Sequence, residues 1–473
     1  MKPNFLPVRR TRFGNQINKT NAPRMLICIR GLANKAKRTV SPLESERLMS
    51  EILYAGAGRA PIQFKQELFP LEGFCGIHDD PAARVLLLDC GEKVAIACLE
   101  LVMLDGQAIA DAKQQIGAIT DTKIENIWVH VTHVITTPHA PHAPRGMGGV
   151  ELEIGEEEKK TLEYKKALFN SAVTDAIDRA ARQAAKEFRP AKMGVGTCEC
   201  GINVNRDVAT PHGWWINFNP EGPSNHTATV LRFEDEQGQA IAAFVSYGLK
   251  PCAIDNSEME QNTRLVSSDV PGLACALLEE RLGAPVLFAM SAAGDQVPLE
   301  QAWYDVVEAD GTVRKIDNGV QAGLEIVERL GSRMAQEIAP ALASVCCHLT
   351  APAISLAGGG IRWPGKGRGK MVPATAADYV EKGTEQVDVM TMVIGDVALV
   401  GLKPELNAVT EAQLQVASPY KTTLVVSMVN GGQKYMPDMA SYENITWEAQ
   451  SAPLMPGAAE AWVEEAVRVL KQR

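Results

Sequence analysis

The sequence predicts an α/β protein in which one extensive mixed β-sheet is surrounded by helices, and three observations support this class. Short apolar runs rich in β-branched residues recur along the chain and indicate buried strands. Longer segments with the apolar spacing of amphipathic helices stand between them. The 473 residues, of which 46% are hydrophobic and 22% charged, suffice to bury a large core. Interleaved strands and helices of this kind are typical of a helix-covered sheet.

The first predicted elements lie between residues 83 and 190. Two apolar runs within residues 83–104, joined by a Cys-Gly-Glu-Lys turn, predict a hairpin of buried strands, and residues 124–134 predict a third strand. Prolines and glycines in residues 136–149 predict a loop. The spacing of apolar residues from Glu156 to Phe188 predicts a long amphipathic helix that Pro190 ends.

Strands and helices continue to alternate in the second half of the chain. The predicted strands are Met193–Cys200, Thr229–Glu234, Ala240–Tyr247, 285–293, a pair within 387–402 that turns at Gly395-Asp396, and 422–429. The predicted helices are Pro271–Leu282 and Gly323–Leu342.

The charge is divided unevenly along the chain. The formal net charge of −10 includes a basic segment, residues 1–47, with 11 Lys and Arg against 2 Asp and Glu. The rest carries 36 basic and 55 acidic residues, a balance of −19. We therefore expect residues 1–48 to be a basic, disordered tail and residues 49–473 to be one folded domain. Because an acidic body repels phosphate backbones, we expect no nucleic-acid partner.

Composition also limits the cellular location and the binding partners that we expect. No apolar stretch approaches the roughly 20 residues needed to cross a bilayer, so we expect no membrane span. The ten cysteines are scattered and no secretion signal precedes them, which favours reduced thiols and a cytoplasmic location. We expect a small-molecule substrate, and formation of a homo-oligomer stays open.

Polar side chains follow several predicted strands, where a sheet fixes position and a loop gives access to solvent. The candidate catalytic residues at such places are His133, Arg206, Lys250, Glu405 and Tyr435. An arginine there is suited to clamp a carboxylate or an oxyanion. Each residue also has a structural interpretation, because polar residues after strands commonly satisfy core hydrogen bonds or salt bridges.

Four further residues are candidates for substrate binding: His78, Asn205, His139 and Trp215. His78 stands in the charged turn Gly-Ile-His-Asp-Asp, and Trp215 belongs to a predicted Gly/Pro-bounded loop whose tryptophans would form an aromatic wall for substrate. The alternatives are that the acidic residues only organise the turn and that the tryptophan covers the core or an oligomer contact.

An ordered series of motifs resembles the landmarks of the neutral and alkaline, non-lysosomal ceramidases. The similarity extends over residues 54–455. The motifs are GAGRAPI, GIHDDPAAR, VTHVITTPH, NVNRD, LRFEDEQGQAIA, SSDVPG, SAAGDQVP, GDVALVGLKPEL and KYMPDMASYENITWEA.

The resemblance implies an α/β catalytic domain over residues 49–473, without the immunoglobulin-like domain that usually follows it in that family. Members are zinc amidases that hydrolyse the N-acyl bond of ceramide. The resemblance places zinc ligands at His133, Glu405 and Tyr435, and a conserved-motif arginine at Arg206.

Three positions depart from the family pattern. A catalytic histidine is replaced by Ile135, a serine by Val297 and a zinc histidine by Lys250. A protonated lysine cannot ligate zinc and repels it. Two outcomes stay open: zinc is bound with a substitute ligand such as His139 or His78, or the Lys250 ammonium replaces the cation.

The leading hypothesis is therefore a hydrolase that cleaves an amide bond in a small or medium soluble substrate other than ceramide, with zinc-activated water. The first alternative is a lyase, isomerase or lactonase on the same scaffold that uses Lys250 in place of a zinc ligand. The second is a catalytically silent binding protein.

Overall fold

The computed structural model describes residues 52–143, 152–261, 263–367 and 371–472. The predicted tail, residues 1–48, and part of the predicted loop lie outside these ranges. Within the described ranges, no helix combines the length and the apolar composition that crossing a membrane requires. The cytoplasmic location stays a prediction.

The strands are distributed along the whole described chain. They are β1 (Tyr54–Pro61), β2 (Phe74–Ile77), β3 (Ala82–Asp89), β4 (Lys93–Leu99), β5 (Ile127–Val131), β6 (Arg189–Pro190), β7 (Lys192–Glu199), β8 (Asn203–Thr210), β9 (Gly213–Asn219), β10 (Thr227–Glu234), β11 (Ala240–Tyr247), β12 (Arg264–Val266), β13 (Val286–Met290), β14 (Gln296–Pro298), β15 (Trp303–Val307), β16 (Val313–Asp317), β17 (Ile354–Lys366), β18 (Glu381–Ile394), β19 (Val397–Gly401), β20 (Glu405–Leu406), β21 (Thr422–Val426) and β22 (Tyr435–Met436).

Helices cover these strands. The α-helices are α1 (Gly106–Thr120), α2 (Glu156–Lys186), α3 (Asp269–Leu282), α4 (Val320–Ser344), α5 (Ala408–Ala417), α6 (Met439–Asn444), α7 (Trp447–Ser451) and α8 (Ala458–Leu470), and short 3₁₀ turns lie at Gln66–Leu68 and Ile124–Asn126.

Three mixed sheets form the centre of the molecule. Their strand orders are β5-β4-β3-β1-β6, β13-β11-β10-β7 and β17-β18-β19-β21. Each contains one parallel pair, namely β4 with β5, β11 with β13 and β19 with β21. The smaller sheets are β14-β8-β9, β12-β2, β15-β16 and β20-β22.

The α/β class is confirmed, and the strands expected in one extensive sheet are instead divided among these sheets. The hairpin of β3 and β4, the strand pair of β18 and β19 with its turn, and the three predicted helices are present at nearly the predicted bounds. Two segments differ. Asn205 and Arg206 lie inside β8 rather than after a strand, and Trp215 lies in β9 rather than in a loop. Strand β8 pairs with both β14 and β9, and this pairing extends β8 and β9 as strands through these residues.

Helix α2 packs closely on the first sheet because two glycines of β1 leave room for it. A Cβ at Gly56 would lie 2.2 Å from the carbonyl oxygen of Ala184, and one at Gly58 would lie 2.1 Å from that of Ala180. Any side chain there would push the helix away from the strand. The apolar alanine face of α2 therefore contacts the sheet backbone directly and closes this side of the core.

A buried ion network joins β3, β4 and α3. Arg84 is only 2% exposed, and its guanidinium contacts Glu100 (Nη1–Oε1, 2.5 Å) and Glu279 (Nε–Oε1, 2.7 Å). Glu100 also accepts a hydrogen bond from the backbone nitrogen of Ala82 at 2.6 Å. Buried charges are tolerated only when paired, so this network fixes the helix against the strands.

We predict that Arg84→Ala lowers the free energy of unfolding by about 3–5 kcal/mol, because it leaves the buried Glu100 carboxylate without its cation. The matched control is Arg182→Ala, since Arg182 makes a similar pair with Asp178 on the exposed face of α2 (Nε–Oδ2, 2.7 Å). The control should unfold at the wild-type urea concentration. Equal losses in the two variants would contradict the structural role of the buried network.

Candidate active site

Lys250 enters the site shortly after the end of β11, a strand that is buried from Ile241 onwards. Strand β11 ends at Tyr247, and the next residues turn so that Asn203 of β8 donates a hydrogen bond to the carbonyl oxygen of Gly248 (Nδ2–O, 2.7 Å). The Lys250 side chain is 3% exposed. Its ammonium lies 2.9 Å from Glu405 Oε2 and donates a hydrogen bond to the Tyr435 hydroxyl oxygen at 2.7 Å.

Glu405 and Tyr435 are held side by side by backbone pairing. They are partners in the short parallel pair of β20 and β22, and the Glu405 nitrogen donates to the carbonyl oxygen of Lys434 at 2.7 Å. Both residues are buried. Two segments that are 30 residues apart in sequence thus present a carboxylate and a phenol to the same ammonium.

His133 completes this group from the first sheet. It follows β5 in the left-handed region of the backbone, with φ +57°, which non-glycine residues seldom adopt. Its Nδ1 lies 2.8 Å from Glu405 Oε1. The Glu405 carboxylate therefore lies between an imidazole and an ammonium, with one oxygen near each.

Arg206 lies beside this group and has its own carboxylate. It projects from β8, where its Nε donates to Glu448 Oε1 at 2.6 Å. Glu448 belongs to α7 and is fully buried. The guanidinium carbon is 5.4 Å from the centre of the Tyr435 ring and 5.0 Å from that of Trp447, within the range of cation–π attraction.

Arg206, Lys250, Tyr435 and Trp447 line one cavity of about 310 Å³, whereas His133, Glu405 and Glu448 do not line it. Apolar and aromatic residues form much of its wall. The lining residues are Ile135, Arg206, Ile216, Asn217, Lys250, Cys252, Asp255, Asn256, Val297, Gln301, Trp303, Tyr304, Asp305, Lys315, Tyr435 and Trp447. The structure thus brings Arg206, Lys250 and Tyr435 into a common concave site, with Glu405 directly behind the last two.

The electrostatics of the group favour charged side chains in spite of burial. Burial opposes the charge of Glu405, but Lys250 and His133 outweigh it and lower the pKa of Glu405 to about 2. Burial likewise opposes the charge of Lys250, yet Glu405 holds the pKa of that ammonium above its ordinary value. Lys250 and Glu405 are therefore a buried ion pair at neutral pH.

Two acidic side chains, Asp207 and Glu448, lie close together beside Arg206. Burial and the neighbouring Glu448 carboxylate raise the pKa of Asp207 well above its ordinary value. Burial opposes ionisation of Glu448, but Arg206 and Asp207 lower its pKa. The raised pKa of Asp207 favours its protonated form, which can donate a hydrogen bond to the Glu448 carboxylate, and Glu448 pairs with Arg206.

Comparison with solved structures identifies the fold. A structure described as ceramidase complexed with C2 matches with a TM-score of 0.65 and 14% identity, over 89% of this chain and 75% of that one. The neutral ceramidase of Pseudomonas aeruginosa matches with the same TM-score and 15% identity, over the same shares of the two chains. The chain has the neutral ceramidase fold. No family model and no curated protein matches the sequence.

The donors present do not fit the zinc site that the sequence resemblance implies for the neutral ceramidase fold. Lys250 carries its ammonium between Glu405 and Tyr435, two of the three implied ligands, and an ammonium repels a metal ion. The described ranges hold no group of three or more His, Cys, Asp or Glu side chains arranged to bind a metal ion. The third implied ligand, His133, directs Nδ1 to Glu405.

The four candidate substrate-binding residues lie outside the lining of this cavity. Asn205 donates to Asp295 (Nδ2–Oδ2, 3.0 Å) and lines a neighbouring cavity. His139 contacts Glu72 (Nδ1–Oε2, 3.1 Å). The backbone nitrogen of His78 donates a hydrogen bond to the carbonyl oxygen of Val266 at 2.8 Å.

Trp215 does not line the cavity itself but contacts a residue that does. Its Nε1 donates to Asp305 Oδ2 at 2.7 Å, and Asp305 itself lines the cavity. His130 on β5 is a core residue. Its Nε2 accepts a hydrogen bond from the backbone nitrogen of Met290 at 3.2 Å. Burial lowers the pKa of His130 to about 4, so it stays neutral.

Sequence reasoning missed several residues of this candidate site. Asp255, Asp305 and Lys315 line the cavity, and Glu448 neutralises Arg206 from behind. A signal was available for Asp255, because it follows Lys250 by five residues in the same loop after a buried strand. Asp305 and Lys315 belong to the β15-β16 hairpin, for which no strand was predicted.

We predict that Glu448→Gln and Asp207→Asn differ sharply in stability. The first leaves the buried Arg206 guanidinium without a carboxylate and should lower the free energy of unfolding by about 3–5 kcal/mol. The second replaces a protonated carboxyl by an amide of the same shape, which still donates a hydrogen bond to Glu448, so most of the stability should remain. Urea unfolding of both variants measures the difference. A comparable loss in Asp207→Asn would show that Asp207 is ionised instead.

Proposed function

We propose that this protein is a hydrolase that cleaves an amide bond of a small or medium substrate in the cavity, and that the Lys250 ammonium provides the fixed positive charge at the reacting carbonyl. The observation that carries the proposal is the position of Lys250 Nζ, 2.9 Å from Glu405 Oε2 and 2.7 Å from the Tyr435 hydroxyl. The neutral ceramidase fold supports the reaction class, because the similar solved structures are ceramidases.

Hydrogen-bond direction gives Tyr435 a defined chemical part. An ammonium is a donor only, so the Tyr435 oxygen accepts the bond from Lys250 and its own proton must point elsewhere. Because Tyr435 lines the cavity, this proton is available to a substrate oxygen. Lys250 thereby orients a phenol as the donor to a carbonyl that gains negative charge during attack by water.

Two cations and one phenol then stabilise the same charge. Lys250 and Arg206 both line the cavity, and each is fixed from behind by a buried carboxylate. Donors held in place before the reaction are effective because they need no reorganisation, and removal of one typically costs about 100-fold to 1,000-fold in kcat. The arrangement suits the oxyanion of a tetrahedral intermediate.

The cavity also limits the substrate. Its volume of about 310 Å³ is near the lower end of ligand sites, which typically span about 300–1,000 Å³. Trp303, Tyr304 and Trp447 supply flat apolar surface next to the charged groups. We therefore propose an amide with a compact apolar or aromatic group beside the scissile bond, and not a two-chain lipid.

One observation favours a second candidate function. An ammonium and an oriented phenol at one carbonyl oxygen would also stabilise an enolate, the intermediate of many lyases and isomerases. In that case a proton would be taken from carbon rather than from water. The same residues would be required, and only the products would differ.

We predict that metal-free wild-type protein hydrolyses members of a panel of N-acyl amides, whereas Lys250→Met and Tyr435→Phe lower kcat by about 100-fold to 1,000-fold. The protein is dialysed against a chelator, its zinc content is measured by elemental analysis, and release of amine is followed. Tyr435→Phe keeps the ring against Trp447 and tests the hydroxyl alone.

The control for loss of an ion-paired lysine is Lys123→Met, whose ammonium pairs with Glu92 at 3.3 Å on the surface. It should retain wild-type kcat. Thermal unfolding of every variant confirms folding. Turnover that requires a zinc ion, or that survives in Lys250→Met, would contradict the lysine-centred site. Isomerised or eliminated products would favour the second candidate.

A further inference from the structure

Asp255 is an acidic side chain in the wall of the cavity that the proposed function leaves without a role. It lies in the loop between β11 and β12, five residues after Lys250, and lines the same cavity as Lys250, Arg206 and Tyr435. A hydrolase needs a base to take a proton from water, and the two cations and the phenol cannot act as that base while they hold the oxyanion.

The loop fixes Asp255 firmly. Its φ is +50°, a conformation that Asp and Asn tolerate better than most residues. Arg264 donates from Nη2 to the carbonyl oxygens of Asp255, at 3.2 Å, and of Ile135, at 3.1 Å. Asn256 Nδ2 donates to Asp255 Oδ1 at 2.6 Å. Arg264 thereby joins the two cavity-lining residues Ile135 and Asp255 through their backbone, and Asn256 holds one oxygen of the Asp255 carboxyl.

The other acidic or nucleophilic groups that line the cavity are less suited to act as a base. Asp305 accepts a hydrogen bond from Trp215 Nε1 through one oxygen and pairs with Lys315 through the other. Burial, and then the neighbouring Asp255, raise the pKa of the Cys252 thiol well above its ordinary value, so it stays protonated. Gln301 also donates to Cys252 Sγ at 3.2 Å.

The surroundings of Asp255 bring the pKa of its carboxyl close to neutral pH. Burial raises the pKa of this carboxyl to about 7, with Asp269 acting in the same direction and with Arg264, Lys315 and Arg206 opposing it. A base with a pKa near the working pH combines a substantial ionised fraction with a real affinity for the proton.

We propose that Asp255 is the general base of this site, an inference that rests on the proposed amide hydrolysis. Its carboxylate takes a proton from water as the water oxygen bonds to the amide carbonyl carbon, and the carbonyl electron pair moves to oxygen. Lys250, Arg206 and Tyr435 stabilise that oxyanion. Asp255 then returns the proton to the amide nitrogen, the C–N bond breaks, and a carboxylic acid and an amine leave.

The decisive variant is Asp255→Asn, which keeps the shape and tolerates the same backbone conformation. The carboxylate form is the active one, so kcat/KM of the wild type should rise with pH through about 7, the pKa that burial gives Asp255. In Asp255→Asn, kcat/KM above that pH should fall by about 100-fold to 10,000-fold and the rise should disappear. The matched control, Asp305→Asn, removes a carboxylate from the same cavity and should retain the rise.

A stability measurement tests the titration independently of turnover. The raised pKa means that folding favours the protonated carboxyl, so ionisation of Asp255 destabilises the wild type progressively from the unfolded pKa up to about 7. Asp255→Asn should therefore unfold at a higher temperature than the wild type at pH 8.5, and the gain should be smaller at pH 5.

The outcomes separate this inference from the proposed function. Wild-type turnover with an unchanged pH profile in Asp255→Asn, or an equal stability gain at both pH values, would overturn the role of Asp255 and leave amide hydrolysis standing. A wild type that releases no amine from any amide would overturn the proposed function itself, and with it this use of Asp255. Loss of the rise in Asp255→Asn alone supports both.

Discussion

The buried ion pair of Lys250 and Glu405 is the interaction on which the site depends. Removing two charges from water is costly, and the cost is met only if both partners are held in good geometry and the remaining polar atoms are engaged. Glu405 meets this demand by contacting Lys250 through one oxygen and His133 through the other. Because these residues follow strands of three different sheets, the ion pair also fixes how the ends of those sheets meet.

Behind the cavity, the same principle is repeated for Arg206. Its guanidinium pairs with Glu448, and the raised pKa of the neighbouring Asp207 favours a protonated carboxyl that can donate to Glu448. Lys250 and Arg206 thus each have their counter-charge, Glu405 or Glu448, outside the lining of the cavity. The charges are neutralised overall, yet their positive ends face the cavity, so a substrate that develops negative charge meets a field that already exists.

Much of this arrangement can be predicted from the sequence, and the limits of that prediction have physical causes. Apolar runs in the sequence predict buried strands such as β11 and β19, and Lys250 and Glu405 lie shortly after the ends of these two strands, as the sequence predicts. Whether such residues meet depends on pairing between strands far apart in sequence, which local patterns do not encode. The β15-β16 hairpin was missed although Trp303–Val307 is rich in aromatic and β-branched residues and Asp310-Gly311 lies in its turn, so the contribution of Asp305 and Lys315 to the cavity was not predicted.

A lysine in place of a metal ion changes what controls the chemistry. A metal site requires deprotonated ligands and lowers the pKa of bound water, so the ion supplies both the positive charge and the nucleophile. An ammonium supplies only charge and hydrogen bonds, and the Lys250 ammonium, with a pKa raised by Glu405, keeps its proton across the neutral range. Activation of water must then come from a separate group whose ionisation changes near neutral pH. The base, rather than the cation, therefore governs how such a site responds to pH.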